Sequence, residues 1–112
     1  MSKRDEKIAL YVKEAEKLGL GLDAGLIEKA TIALGPSIYN RDSETVSCSD
    51  QSELDRVKTN FAQKKLGVTD EAAIDAAIKK VCETMGSSNR NKYRALFYAL
   101  LAKELGKTSV YA

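Results

Sequence analysis

The polar stretch at residues 87–94, SSNRNKYR, contains the side chains in this sequence that are best suited to hold an anion. A helix is predicted to start here, and a helix N-terminus presents unpaired N–H groups and a partial positive charge. Arg90 and Arg94 are four residues apart, a spacing that puts two guanidinium groups on one helical face. The stretch is therefore predicted to bind a phosphate or carboxylate through Ser87, Ser88, Asn89, Arg90 and Arg94.

A structural interpretation of the same stretch competes with this one. The serines can cap the helix, and the helix dipole disfavours arginines in a first turn, so these arginines need an acidic partner. That partner can be an external anion or one of the chain's own carboxylates, with Asp42, Glu44 and Glu83 as candidates. The sequence leaves both interpretations open.

The second candidate is the segment at residues 35–49, GPSIYNRDSETVSCS, which shows no helical periodicity. At about 15 residues it is longer than the usual connection in a compact domain, which indicates either a function or packing of its own. If it folds over the start of the last helix, the two polar stretches form one surface for an anionic ligand or a protein partner. The residues it is predicted to add to that surface are Ser37, Tyr39, Asn40 and Arg41.

The sequence has no histidine, which excludes histidine-dependent triads and histidine–metal sites. Carboxylates at Asp42, Glu44, Asp50 and Glu53 could hold a hard cation, but the calcium-loop pattern and its turn glycine are missing. Helix capping and solvation explain these carboxylates better. No catalytic residue, metal or cofactor is predicted.

The two cysteines, Cys48 and Cys82, are predicted to be free thiols, because a reducing cytosol disfavours disulfides. Cys82 has the sequence context of a small core residue. Cys48 precedes a predicted helix start, where the dipole can lower a thiol pKa, but neighbouring acidic residues oppose that effect. A reactive thiol at Cys48 is therefore disfavoured.

The distribution of charge gives weak support for nucleic-acid binding. The net charge is only +2, yet the C-terminal third is distinctly basic. Tyr93 and Phe97 fall on the predicted core face and so cannot stack on bases. A basic face would consist of Lys64, Lys65, Lys79, Lys80, Arg90, Lys92, Arg94, Lys103 and Lys107.

The elements that must position these residues are predicted to be helices. Glycines follow leucine or methionine where apolar periodicity stops, and the chain has only one proline. The resulting fold class is all-α: a compact single domain over residues 1–112, with about five helices and a long irregular loop at 35–49. The helices are predicted at residues 3–18, 23–34, 50–66, 70–85 and 88–105.

The last of these helices is predicted to be the buried centre of the bundle, because residues 95–102 form the longest apolar run. That run is much shorter than the roughly 20 residues needed to cross a membrane. No apolar leader follows the first methionine, so no membrane association is predicted and the cytoplasm is the expected compartment.

Three segments carry a specific resemblance: GPSIYNRDSETVSCSD, NFAQKKLG and MGSSNRNKYRALFYALLAKELG. Together the chain resembles a bacterial family known as domain of unknown function 2853, over essentially its whole length. The resemblance implies a small bacterial helical protein, and it transfers no activity and no catalytic residue. The leading hypothesis is a non-enzymatic binding or interaction protein. The alternatives are a nucleic-acid-associated protein and a small enzyme using carboxylate or thiol chemistry.

Overall fold

Six α-helices form this all-α single domain in the computed structural model, which describes residues 2–86 and 88–111. Within those residues there is no strand, and the one extended pairing is an isolated antiparallel bridge between Thr45 and Tyr93. No helix in the described part of the chain has the length and apolar character to cross a membrane. The helices are α1 (Lys3–Leu18), α2 (Ala24–Leu34), α3 (Arg41–Glu44), α4 (Gln51–Arg56), α5 (Glu71–Met85) and α6 (Arg94–Glu104).

Helix α6 is the buried centre of the fold, as its apolar run predicts. Leu96, Phe97 and Leu101 are completely enclosed. Helices α2 and α5 make its most extensive contacts, and α1 also touches it. Ala99 and Ala102 are buried as well, and their small side chains allow the neighbouring helices to approach closely.

The start of the last helix was predicted too early. The sequence places it at residue 88, whereas α6 begins at Arg94 and has no side-chain cap. Asn89 prevents an earlier start, because its side-chain amide donates to the carbonyl of Met85 at the end of α5 and its side-chain oxygen accepts from the amide of Asn91. These local bonds favour a turn over a helix. The polar stretch therefore crosses from α5 to α6 before the last helix begins.

The segment at residues 35–49 is more regular than predicted. A 3₁₀ helix covers Gly35–Tyr39, with Pro36 in its first turn, and α3 follows directly. Asn40 caps α3 by accepting a hydrogen bond from the amide of Asp42. Ile38 and Val46 are buried and pack into the hydrophobic core.

The predicted helix at residues 50–66 is also divided. Asp50 caps α4 as predicted, but the helix widens into a π-helical segment at Val57–Gln63. Glu53, three residues after this cap, does not bond back to the helix start, and its carboxylate binds Arg94 and Arg56. The widened segment still buries Phe61, whose ring stacks on Tyr98 with centroids 4.0 Å apart.

Candidate functional site

An open cavity of about 730 Å³ lies between the end of the 35–49 segment and the α5–α6 connection. One wall comes from residues 45–49 and the other from the end of α5 and residues 88–92. Hydroxyl, amide, cationic and sulfur groups all border it. Its lining residues are Thr45, Val46, Ser47, Cys48, Ser49, Cys82, Glu83, Ser88, Asn89, Arg90 and Lys92.

The two walls are held together by backbone bonds and by one side chain. The amide of Val46 donates to the carbonyl of Lys92 at 2.8 Å, next to the bridge between Thr45 and Tyr93. The guanidinium of Arg94 donates to the carbonyl of Ser43 at 2.7 Å and to that of Thr45 at 3.2 Å. The first wall is therefore fixed to the start of α6.

Arg94 has a structural role in this arrangement. Besides the two carbonyls, it donates to the carboxylate of Glu53 and, at 3.1 Å, to the hydroxyl of Tyr98. The internal pairing considered from the sequence is thus observed for Arg94, although its partner is Glu53 and none of the three carboxylates proposed. The side chains of Arg94 and Glu53 are each only 13% exposed. Because four of its five N–H donors already have internal partners and its charge is paired with Glu53, Arg94 is not available to an external anion.

Arg90 is placed differently. It lies ahead of α6 in the exposed connection and borders the cavity, so it does not share a helical face with Arg94 as the spacing suggested. Ser88 and Asn89 also border the cavity, but Asn89 uses its side chain within the turn. Ser87 lies outside the described residues.

Lys92 is the side chain whose importance the sequence did not reveal. It belonged to the polar stretch only as one of several cations, yet it is 6% exposed and borders the cavity. Its ammonium donates to the carbonyl of Asn89 at 2.6 Å. Among residues 2–86 and 88–111, no carboxylate lies within ion-pair distance of it. The sequence carries no signal for this burial, because it depends on the pairing of residues 45–46 with residues 92–93.

The residues predicted from the 35–49 segment do not border the cavity. Ser37 donates its hydroxyl to the carbonyl of Leu34, and Asn40 caps α3. Tyr39 and Arg41 are exposed, Tyr39 to 48%. The structure thus brings the two polar stretches together through residues 43–49, which lie beyond the four residues selected from the sequence.

The acidic residues of this region serve the fold. Glu44 accepts a 2.6 Å hydrogen bond from the hydroxyl of Tyr11 and pairs with Lys7. Burial, followed by the adjacent Glu44, raises the pKa of Tyr11 far above its usual value. Hydrogen bonds from Ser52 and Glu53 lower the pKa of Asp50. Within the described residues, no group of three or more cysteine or acidic side chains is arranged to hold a metal.

The prediction of free thiols is wrong. Cys48 and Cys82 form a disulfide that joins the first wall to α5, with Cα atoms 6.1 Å apart. The two residues are separated by 34 positions in sequence, and only the folding of residues 45–49 against α5 brings them together. Cys82 packs against the hydrophobic core, as its sequence context indicates, but both half-cystines are only partly buried. The reactive free thiol considered at Cys48 does not exist in this oxidised form.

The disulfide separates the first cavity from a second one of about 430 Å³. Both half-cystines border each cavity. The second cavity has mixed charge, with Asp55, Lys58, Asp75 and Lys79 on its walls. Lys58 is already paired with Glu71 and Asp75, and hydrogen bonds to those carboxylates raise its pKa.

Comparison with known proteins identifies the family. The family model described as "Protein of unknown function (DUF2853)" matches residues 10–109. No curated protein matches the chain. The protein belongs to the DUF2853 family.

Proposed function

For this member of the DUF2853 family we propose a binding function in which the cavity beside the Cys48–Cys82 disulfide holds a small anionic ligand. The observation that carries this proposal is Lys92, a buried lysine that borders the cavity and has no ion-pair partner among the described residues. The ligand site differs from the one predicted from the sequence, because it combines Lys92, Arg90 and Ser88 with residues 47–49 and does not include Arg94.

The ammonium of Lys92 has one protein acceptor and no opposite charge within ion-pair distance among the described residues. Moving an ammonium out of water costs several kcal/mol unless hydrogen bonds or an opposite charge compensate for the lost hydration. An ammonium has three N–H donors, and the carbonyl of Asn89 accepts from one of them. An anion in the cavity would accept from the others and supply the missing negative charge.

The surroundings of Lys92 favour a small ligand of low charge. A volume of about 730 Å³ lies within the range of ligand sites, which is roughly 300–1,000 Å³. Arg90 adds a second positive charge at the exposed side, while Glu83 adds a negative one. The excess of one positive charge suits a monoanion such as a carboxylate better than a polyanion. The hydroxyls of Ser47, Ser49 and Ser88 provide further hydrogen-bonding groups.

The nucleic-acid alternative has less support, because several members of its basic face have internal partners. Arg94 binds Glu53, Lys80 pairs with Glu104, and Lys103 donates to the carbonyl of Gly21. Those charges contribute less to an external field than free ones would. Nucleic-acid binding and the small-enzyme alternative remain hypotheses.

We also propose the cytoplasm of a bacterium as the setting, following the expectation from the sequence and its resemblance. In that compartment a disulfide meets reducing thiols continually, and disulfides there are usually transient. Because the two cysteines line the cavity, their oxidation state would affect the ligand that the cavity binds.

The test is titration of the oxidised protein with acetate and with inorganic phosphate at low ionic strength, followed through backbone amide signals. We expect saturable shifts at Ser47, Arg90 and Lys92. The Lys92→Met variant should lose these shifts. The Lys64→Met variant removes an exposed lysine that does not line the cavity and should retain them. Absence of saturable shifts in the wild type, or equal shifts in Lys92→Met, would overturn the proposal.

A further inference from the structure

We propose that the anion bound in this cavity is a small thiol carrying a carboxylate, and that it undergoes thiol–disulfide exchange with Cys48–Cys82. The inference rests on the proposed anion-binding function and names the chemical class of its ligand. Its basis is that a reducible bond and two cations, Arg90 and Lys92, border the same open cavity.

The disulfide is accessible without unfolding. Both half-cystines are partly exposed, and both border the cavities on either side of the bond. A thiol that enters the larger cavity therefore comes next to both half-cystines. Access of this kind is one of the factors that govern exchange rates.

The positive charges at the cavity favour a negatively charged thiol over a neutral or positively charged one. Arg90 and Lys92 attract a carboxylate and raise the local concentration of the anionic thiol. Nearby cations also stabilise a thiolate, which is both the attacking and the leaving species in exchange. Glu53, which by sequence opposed a thiolate at Cys48, is neutralised in the fold by Arg94 and Arg56.

The reaction is balanced without any further reagent. The ligand thiolate attacks one sulfur of the disulfide, forming a mixed disulfide and releasing the other cysteine as a thiolate. A second ligand thiolate then attacks the ligand sulfur of the mixed disulfide, giving the ligand disulfide and the second protein thiolate. Two ligand thiols are oxidised, one protein disulfide is reduced, and each protein thiolate takes a proton from water. The released cysteine can also reverse the first step.

The fold keeps the two cysteines close after reduction. The wall that carries Cys48 is held by the Val46–Lys92 backbone bond and by Arg94, while Cys82 lies within α5. Neither attachment depends on the sulfur–sulfur bond. A neighbouring cysteine held in this way reacts at a high effective concentration, so re-formation of the disulfide is expected to be fast.

The test compares three thiols that differ in charge: 3-mercaptopropionate, 2-mercaptoethanol and cysteamine. Oxidised full-length protein is mixed with each at equal thiolate concentration and low ionic strength. Acid-quenched samples are then followed by intact mass. We expect a protein–mercaptopropionate adduct and a reaction faster with the anionic thiol than with the neutral one, on the order of tenfold. The preference should fall with added salt.

Variants identify the source of the preference. Because the three thiols differ in intrinsic reactivity, the measured quantity is the ratio of the mercaptopropionate rate to the mercaptoethanol rate within each protein. Arg90→Gln and Lys92→Met should each lower this ratio several-fold, and Lys64→Met should leave it unchanged.

Two results would overturn the inference: the absence of a preference for the anionic thiol in the wild type, or a ratio unaffected by Arg90→Gln and Lys92→Met. Either result, together with saturable acetate shifts in the oxidised wild type, would refute the thiol chemistry and leave the anion site intact. The absence of acetate and phosphate binding would refute both.

Discussion

The backbone amide of Val46 donates to the backbone carbonyl of Lys92 at 2.8 Å, and this bond joins the two walls of the cavity. Because the bond uses the main chain of Lys92, its side chain is free to take a separate position near Asn89. Arg94, two residues later, uses its side chain to hold the same walls together. Lys92 and Arg94 therefore have different roles, and substitutions at the two positions can distinguish these roles.

Lys92→Met is expected to leave the free energy of unfolding within about 1 kcal/mol of the wild-type value. The substitution removes a buried charge that is poorly compensated, and cavity water can satisfy the carbonyl of Asn89. Urea denaturation of the two proteins measures the difference. A loss as large as that of an arginine variant at position 94 would show that Lys92 is structural and would contradict this prediction.

Arg94→Met is expected to lower the free energy of unfolding by about 3 kcal/mol, because it removes the donor to two carbonyls and leaves the buried carboxylate of Glu53 with only the exposed Arg56 as a partner. Urea denaturation again provides the measurement. Glu53→Gln should also destabilise, and the double variant should lose less than the sum of the two, because the residues are in contact. Additive losses would mean that the pair contributes no coupling.

Reduction of the Cys48–Cys82 disulfide is expected to lower the free energy of unfolding by about 4 kcal/mol, from the entropy of a cross-link spanning 34 positions. The reason is that the reduced unfolded chain has more conformations available to it. Urea midpoints measured with and without a phosphine reductant give the value. A Cys48→Ser, Cys82→Ser double variant is the control, since the reductant should not change its midpoint.

The stabilisation that Asp50 provides as a helix cap is expected to be lost in acid. Hydrogen bonds from Ser52 and Glu53 lower its pKa in the folded state below the unfolded value of about 3.9. A lowered folded-state pKa means that the stabilisation is present above the unfolded pKa and disappears as the pH falls through the folded one. Thermal melts should therefore show Asp50→Ala less stable than the wild type at pH 7, with the difference shrinking below about pH 4.

Asp50→Asn is the matched variant for this measurement. Asparagine is also a good N-cap but does not titrate, so its advantage over alanine should persist into acid. A difference between wild type and Asp50→Ala that stays constant from pH 7 to pH 2 would contradict the assignment.

Local chemistry made much of the fold predictable. Ser2, Asp23 and Asp50 are of the residue types that favour N-caps and they cap α1, α2 and α4, because a cap depends on bonds within three residues. The central position of α6 followed from its apolar run, which can only be satisfied by burial. The family followed from three segments whose residues are distinctive by themselves.

The sequence by itself therefore determined the all-α class, three of the helix caps and the buried centre, because short-range hydrogen bonds and apolar periodicity depend on residues close together in the chain. Only the tertiary structure decided that Cys48 meets Cys82, that Glu53 binds Arg94 and that Lys92 is buried beside a cavity. Each of these relationships depends on how segments distant in sequence pack together. Many alternative pairings of the same residue types would have similar energies, so the sequence does not select one of them. The candidate site consists almost entirely of such long-range relationships, which is why its chemistry became visible only in the fold.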